Sequence, residues 1–409
     1  MNVNSWQVGV IGAGPAGMTA ALEACQTKAQ VILLDANPTP GRKLAATGSG
    51  RANLTNANMR AAKYTCSSLE FVDQALQQFG QPELIHWLKE KGIFTYSSPD
   101  GWCYPLSDSA ANVAQIFYAH LIASGAKVIT QTLITDITPK EDGFRLSTSD
   151  PNQSFYVNRL IVACGSPAYP QLGARDNLPP ILEKIGHTIH PIQPSLAPLL
   201  CDVHPIHKLQ GVRLDAGVKL LMEGEVIGET VGNIIFTNWG LNGPGVMDLS
   251  HLVNRNKKRT LEIELNLIPQ HLPLLNSLLE KRAHDSLPIG TLLGSVLPTK
   301  ITAWALERTR LPLDCHINQL DKRTIQQLLD GLQHLRLSVK GTKGFKDCQA
   351  SIGGVAVEEV DAGSMQSQII PGLFLAGEVL DVSGPCGGYN LQWAFTSGFI
   401  AGKSAGNSL

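Results

Sequence analysis

The chain predicts an α/β fold whose doubly wound sheet is discontinuous, opened by a long insertion and closed again by the C-terminal segment. Three observations predict it. An apolar run ends in Gly12-Ala13-Gly14-Pro15-Ala16-Gly17 and leads through a helical pattern to a second apolar run, the order strand, tight turn, helix, strand. From about Pro191 the texture changes to short β-like pieces broken by Gly and Pro. After Phe345 the α/β pattern returns and ends in a glycine turn followed by a helix.

Each element has its own reason. Gln7 to Ile11 is the first strand, Pro15 to Ala24 the first helix, and Val31 to Leu34 the second strand, which together make the opening βαβ of a Rossmann-like sheet. Helical spacing returns at Leu69 to Lys91 and Ser109 to Ser124. Ala126 to Ile137, Phe144 to Ser147 and Tyr156 to Ala163 form a small meander that rejoins the sheet. Ala216 to Met222, Gly232 to Phe236 and Thr260 to Leu265 read as strands of a separate β domain. Leu274, Leu275, Leu278 and Leu279, then Ile325, Leu328, Leu329 and Leu332, give a small helical unit between Pro269 and Leu335. Leu373 to Ala376 is a strand, and Asn390 to Ala405 the last helix. The expected domains are 1–190 with 346–409, 191–265 with 336–345, and 266–335.

Composition narrows the function. The 409 residues carry a net charge of −1, with 43% hydrophobic and 16% charged residues, an ordinary globular balance with no basic excess for a polyanion. Asn256-Lys257-Lys258-Arg259 reads as a solvated turn, so no nucleic-acid partner is expected. The eight cysteines include no C-x-x-C, which points away from zinc or any other metal centre and from a thioredoxin-type pair, and toward a reduced, cytoplasmic setting. No apolar run reaches the length of a membrane span, and a strand begins too early for a signal peptide.

The chemistry sits in three segments. In the first, Gly12 permits the turn, Gly14 lets backbone approach a pyrophosphate, and Gly17 lets helix and strand pack. Ala13, Pro15 and Ala16 complete the turn, and the helix N-terminus favours an anion without a cationic side chain. Asp35, followed by Ala36, lies where a ribose hydroxyl acceptor belongs. The second segment runs from Gly41 to Asn56 and is dense in glycine, cations and amides. Backbone at Thr47, Gly48 and Gly50, with Arg42, Lys43 and Arg51, can wrap an extended cofactor, and Asn53 can meet a flavin edge. In the third, Gly377, Glu378 and Asp381 follow a strand, with Glu378 suited to ribityl hydroxyls. Gly387-Gly388 then opens the helix that begins Asn390, Leu391, Gln392, whose free amides can stabilise negative charge on a reduced flavin. The dinucleotide is therefore expected to be FAD.

On these motifs the chain resembles the YhiN/BaiN-like flavoproteins, within the wider group of glutathione-reductase-like enzymes. The match rests on GRKLAATGSGRANLTN, IVACGSPAYP, IIFTNWGLNGP and GLFLAGEVLDVSGPCGGYNLQWAFTSGFIAG, and spans nearly the whole chain. The resemblance implies an FAD domain interrupted by a β-barrel-like domain and a small helical domain. It also implies that Ala163-Cys164-Gly165 forms the family's turn near the cofactor and that Ile134 touches adenine through its backbone. Two departures stand out: Ala52 replaces a cysteine common in the family, which removes any essential thiol there, and Cys386 replaces a threonine. Cys386 reads either as a redox-active thiol or as a small residue beside the ring.

The expected function is an FAD-dependent oxidoreductase acting on a small organic substrate, with the inserted domains covering the substrate face. NAD(P)H is a candidate electron donor, although no second G-x-G-x-x-G is present and Gly341 to Gly344 is too short for one. The resemblance implies reduction of an activated C=C bond or amine oxidation. An RNA-modifying flavoprotein and a non-catalytic flavin sensor remain alternatives. Tyr104, Tyr169, His251 and Tyr389 can each donate a proton, but each fits core or rim as well, so no catalytic residue is assigned.

Overall fold

In the computed structural model, which describes residues 5–408, the chain divides into two compact units, Met1–Gln193 with Gln349–Leu409, and Pro194–Cys348. The outermost residues of the expected terminal segments, 1–4 and 409, lie outside the described residues.

The first unit is built on a seven-stranded sheet. Its parallel strands run in the order Lys127–Ile129, Val31–Leu34, Ser5–Ile11, Ser154–Val162 and Leu373–Leu375. The middle strand Ser154–Val162 serves two partners on one side. Its first half pairs antiparallel with Gly143–Thr148, and Leu160 to Val162 pair in parallel with Leu373 to Leu375. The C-terminal segment thus completes a sheet that the N-terminal segment began. Val31–Leu34 is buried at every position and is entirely Val, Ile and Leu, as a parallel strand covered on both faces requires.

Two expected elements are each split. The strand expected over Ala126 to Ile137 is two strands, Lys127–Ile129 at the sheet edge and Ile134–Lys140 in the meander. Gln131 between them has φ +54°, and the Gln131 and Thr132 amides donate to the Asn37 and Asp35 carbonyls, so the chain turns there. The helix expected over Leu69 to Lys91 is Leu69–Gln78 followed by Gln81–Glu90. Gly80 breaks it, its amide donating to Glu83 Oε2 at 3.0 Å to cap the second helix.

The first helix, Pro15–Gln26, lies against the 19-residue last helix, Tyr389–Asn407. A Cβ on Gly398 would stand 2.4 Å from the Ala16 carbonyl oxygen, and one on Gly402 2.2 Å from that of Ala20. Only glycine admits this backbone-to-backbone approach, and it fixes the start of the last helix relative to the first turn.

The second unit contains a closed barrel of six strands: Leu199–Cys201, Gly240–Asn242, Glu225–Phe236, Arg213–Met222, Leu261–Asn266 and Leu335–Thr342. Closure leaves no sheet edge to pair with a stranger. Helices Leu272–Lys281, Ile289–Leu293, Thr299–Arg308 and Lys322–Gln333 belong to the same unit. Leu328, Leu329 and Leu332 are buried as their spacing predicts, whereas Leu274 is exposed. The α/β sheet, the barrel and the helices together give the fold class read from the sequence.

Candidate cofactor-binding site

The first turn shows a different constraint at each glycine. Gly12 has φ +101° and packs against the Ala163 carbonyl, while a Cβ on Gly17 would lie 1.8 Å from the Gly12 oxygen. Both are steric necessities of the strand-turn-helix crossing. Gly14 is not: a Cβ there meets nothing within 4 Å. Its backbone borders open space at the N-terminus of a 12-residue helix with no side-chain cap, the donor arrangement that suits a pyrophosphate.

Asp35 directly follows the second strand and is buried. Its Oδ2 accepts from the Ala13 amide at 2.5 Å and its Oδ1 from the Asn37 amide at 2.7 Å, so the carboxylate locks the turn to the strand end and keeps lone pairs for a further donor. A cavity of about 60 Å³ opens beside it, bordered by Gly12, Ala36, Ile134, Cys164 and Asn177 among others. The Ile134 carbonyl, part of the backbone expected to touch adenine, accepts from Asn177 Nδ2 at 2.8 Å and keeps a second lone pair. Burial pushes the Cys164 thiol up to about 12, making it a neutral part of the wall. Gly165, at φ +74°, has open space where a side chain would stand.

The second segment folds back on the first. The Gly41 amide donates to the Ala13 carbonyl at 2.8 Å, ahead of the short helix Arg42–Ala46. Lys43 Nζ lies 2.6 Å from Glu378 Oε2, and Glu378 Oε1 accepts from the Ser351 amide at 2.9 Å. Two residues assigned to the cofactor from opposite ends of the chain therefore meet, and they meet each other. Thr47 Oγ1 is tied to the Leu44 carbonyl. Gly48, Ser49, Gly50 and Ala52 all have positive φ, a contorted run that ends at Asn53. Arg51 turns outward: it bonds Asp108 and Tyr96 and stacks on the Tyr104 ring.

Asn53 is buried at 7% exposure, and its Oδ1 has no hydrogen-bond partner. An unpaired buried amide oxygen costs roughly 1–3 kcal/mol, so the position calls for a donor. Just beyond it, the Thr55 carbonyl packs where a side chain on Gly388 would lie, and Asn56 Nδ2 donates to the Gly387 carbonyl at 2.9 Å. Thr55 and Asn56, two and three residues beyond Asn53, thus stand at the N-terminus of the last helix. Ser383 Oγ, next to the same loop, is a buried hydroxyl that also lacks a partner.

The loop before that helix is rigidly held. Asn390 Oδ1 accepts from the Gly384 amide and its Nδ2 donates to the Gly384 carbonyl, at 2.9 and 2.8 Å. Gln392 is fully buried and serves the protein itself, bonding Thr55, Thr396 and the Phe79 carbonyl. Leu391 is partly buried against the core. Gly377 packs on Ala16, its amide donating to Ser397 Oγ. Asp381 Oδ2 lies 2.7 Å from His190 Nδ1, and its Oδ1 accepts from the Gly353 amide. Ser383, Asn56 and His190 were missed from the sequence. Asn56 and Ser383 each stand inside a quoted motif, whereas nothing local marks His190. Among the proton-donor candidates, burial beside Arg255 depresses the basicity of His251, and burial raises the Tyr104 hydroxyl despite Arg51.

Among the described residues no cluster of His, Cys, Asp or Glu could hold a metal, and no helix is long and apolar enough to cross a membrane.

Residues 6–404 match the family described as HI0933-like protein Rossmann domain. A 3-dehydro-bile acid delta(4,6)-reductase of Clostridium scindens is 32% identical, covering 98% of each chain. A ribosomal RNA dihydrouridine synthase of Escherichia coli is 29% identical, covering 97% of this chain and 98% of that one. In fold, the chain is similar to a 3-ketosteroid delta1-dehydrogenase from Sterolibacterium denitrificans, with a TM-score of 0.52 and 11% identity over 99% of this chain and 100% of the other.

Proposed function

Because the chain belongs to the HI0933-like Rossmann family, we propose that it is an FAD-dependent oxidoreductase that saturates a C=C bond activated by a neighbouring carbonyl. The observation that carries the reading is the unpaired, buried Asn53 Oδ1, on the segment whose Thr55 and Asn56 meet the start of the last helix and in the same unit as the open turn at Gly14. The curated relatives support the reaction type: a delta(4,6)-reductase and a dihydrouridine synthase both name the saturation of a C=C bond.

The residues divide the work. Backbone at Ala13, Gly14 and Pro15 to Gly17 holds the pyrophosphate, with Asp35 on the ribose and Ala36, Ile134 and Ala163 to Gly165 around the adenosine. Lys43 and Glu378, already paired, position the ribityl side. Asn53 Oδ1 accepts from the flavin edge, and the N-terminus of the last helix faces negative charge. Asn390 and Asn56 keep that helix start from yielding when charge develops. FAD held here in its reduced form would supply a hydride to one carbon of the polarised double bond, and a proton taken up at the neighbouring carbon would complete the saturated product.

NAD(P)H is the donor to test first, and the cytoplasm the expected setting. The division into 1–190 with 346–409, 191–265 with 336–345, and 266–335 belongs to this reading. A second reading, in which the reduced bond lies in an RNA pyrimidine rather than a free small molecule, is favoured by the dihydrouridine synthase relatives. The test is to purify the protein, release its cofactor and determine its mass. FAD supports the reading; a colourless protein that takes up no added FAD refutes it.

A further inference from the structure

The barrel unit carries a second concave site. A cavity of about 300 Å³ lies at one end of the barrel, where Leu261 begins one strand beside Val339 to Thr342 at the end of the next. That volume reaches the lower bound of small-ligand sites, roughly 300–1,000 Å³. The turn after the Ser250–Arg255 helix completes the wall.

Lys257, Arg259 and Lys340 line this cavity, and no carboxylate does. Arg259 reaches out to Glu223 at 3.2 Å, in a pair whose side chains are both more than half exposed, so that contact is weak and easily exchanged. Among the described residues no carboxylate pairs with Lys257 or Lys340. The polar floor is fixed: buried Asn254 donates to the Pro194 carbonyl at 2.7 Å and accepts from Thr342 Oγ1 at 3.0 Å. Gly341 and Gly344 leave open space where side chains would narrow the cavity. In a chain of net charge −1, three cations on one concave wall concentrate a local positive potential. The run read from sequence as a solvated turn is, with the strand-end glycines, one wall of a pocket.

We infer that this cavity binds the phosphate groups of a nucleotide ligand. A single carboxylate leaves cations uncompensated, whereas a doubly charged or repeated phosphate meets Arg259 through its fork and the two lysines as point charges. The phosphate can come from an RNA strand or from a nicotinamide dinucleotide. The inference concerns the barrel unit alone and stands or falls apart from the flavin reading.

The test uses the whole protein at low salt. Binding of a labelled single-stranded RNA is followed by fluorescence polarisation, and binding of NADPH by calorimetry. Both are repeated with K257E/R259E/K340E and with K281E/K322E/R323E, an equal charge reversal at exposed positions outside the cavity. Thermal melting checks that both variants fold, and Lys340→Gln alone gives a smaller loss if the cavity is responsible. One ligand binds the wild type, weakens at least about tenfold in the cavity variant and is unchanged in the control. If that ligand is RNA, three phosphate contacts give a salt slope of about −2, which the cavity variant flattens. Loss of RNA identifies a nucleic-acid strand as the source, and loss of NADPH the dinucleotide. The inference is overturned if neither ligand binds, or if the control weakens binding as much as the cavity variant.

Discussion

Replacing Gly14 by valine separates ligand binding from folding in the first turn. Gly14 has φ −77° and ψ −178°, ordinary extended backbone, and a Cβ on it meets nothing within 4 Å. The cost to the fold is therefore the lost helix-cap preference, about 1 kcal/mol. Gly17→Ala is the contrast. Its Cβ would stand 1.8 Å from the Gly12 oxygen, against 3.4 Å for ordinary contact, so the turn must open at a cost of roughly 1–3 kcal/mol or more. For the ligand the order reverses. A valine at position 14 occupies the space proposed for the pyrophosphate, and losing even two charge-assisted hydrogen bonds removes roughly 3–6 kcal/mol, about 10² to 10⁴ in affinity. The assay measures FAD content of the purified variants, uptake of added FAD, and melting of the apoproteins. Gly14→Val should melt near the wild-type apoprotein yet hold no FAD, and Gly17→Ala should melt lower. Wild-type FAD affinity in Gly14→Val, or an apoprotein as unstable as Gly17→Ala, refutes the division of roles.

Three further outcomes follow. Asn53→Ala removes an oxygen that has no partner in the protein, so the apoprotein should lose no stability while FAD affinity falls about tenfold, the value of one hydrogen bond at 1–1.5 kcal/mol; equal loss from the apoprotein would show a purely structural residue. Glu359, though desolvation opposes it, is held below the usual 4.5 by hydrogen bonds from Thr188 and buried His187. Its stabilisation is thus present above pH 4.5 and lost as pH falls through the lowered value. Glu359→Gln should melt lower than wild type by roughly 1–3 kcal/mol at neutral pH and converge with it in acid, and a gap that persists in acid would contradict this. Cys164, at about 12 through burial, stays a thiol at pH 8 and should resist alkylation in the native state; its protonated form stabilises the fold fully below pH 9 and less as pH climbs toward 12. Rapid native labelling of Cys164 at pH 8 would place it in a different environment.

The parts of the molecule legible in the sequence are those whose constraint is local. Gly12 and Gly17 were readable because each answers a clash within its own strand-turn-helix unit. The barrel and the helical segment were readable because alternation and helical spacing persist along short stretches. Gly80 followed by Gln81-Pro82 carried the signal of a helix break, and was passed over because apolar spacing continued across it. What spacing does not encode is partner choice. Lys43 and Glu378 were each assigned to a ligand, and the fold pairs them across 335 positions. Gln392 carries the amide expected of a cofactor contact but spends it on Thr55, Thr396 and Phe79. Arg51 is drawn away by Asp108, Tyr96 and Tyr104, which lie on strands and turns the sequence left unassigned. Ser383 became visible only as a buried group left without a partner.

The central claim is that bound FAD passes electrons to an activated C=C bond. The direct measurement reduces the purified holoprotein anaerobically with one equivalent of dithionite, then adds a conjugated oxo-steroid or, separately, uridine-containing RNA, and follows the yellow flavin absorbance. The account predicts that the band returns with one of these acceptors, with one bond saturated for each flavin reoxidised. A flavin that stays reduced with every conjugated acceptor, yet reoxidises when air is admitted, would contradict it.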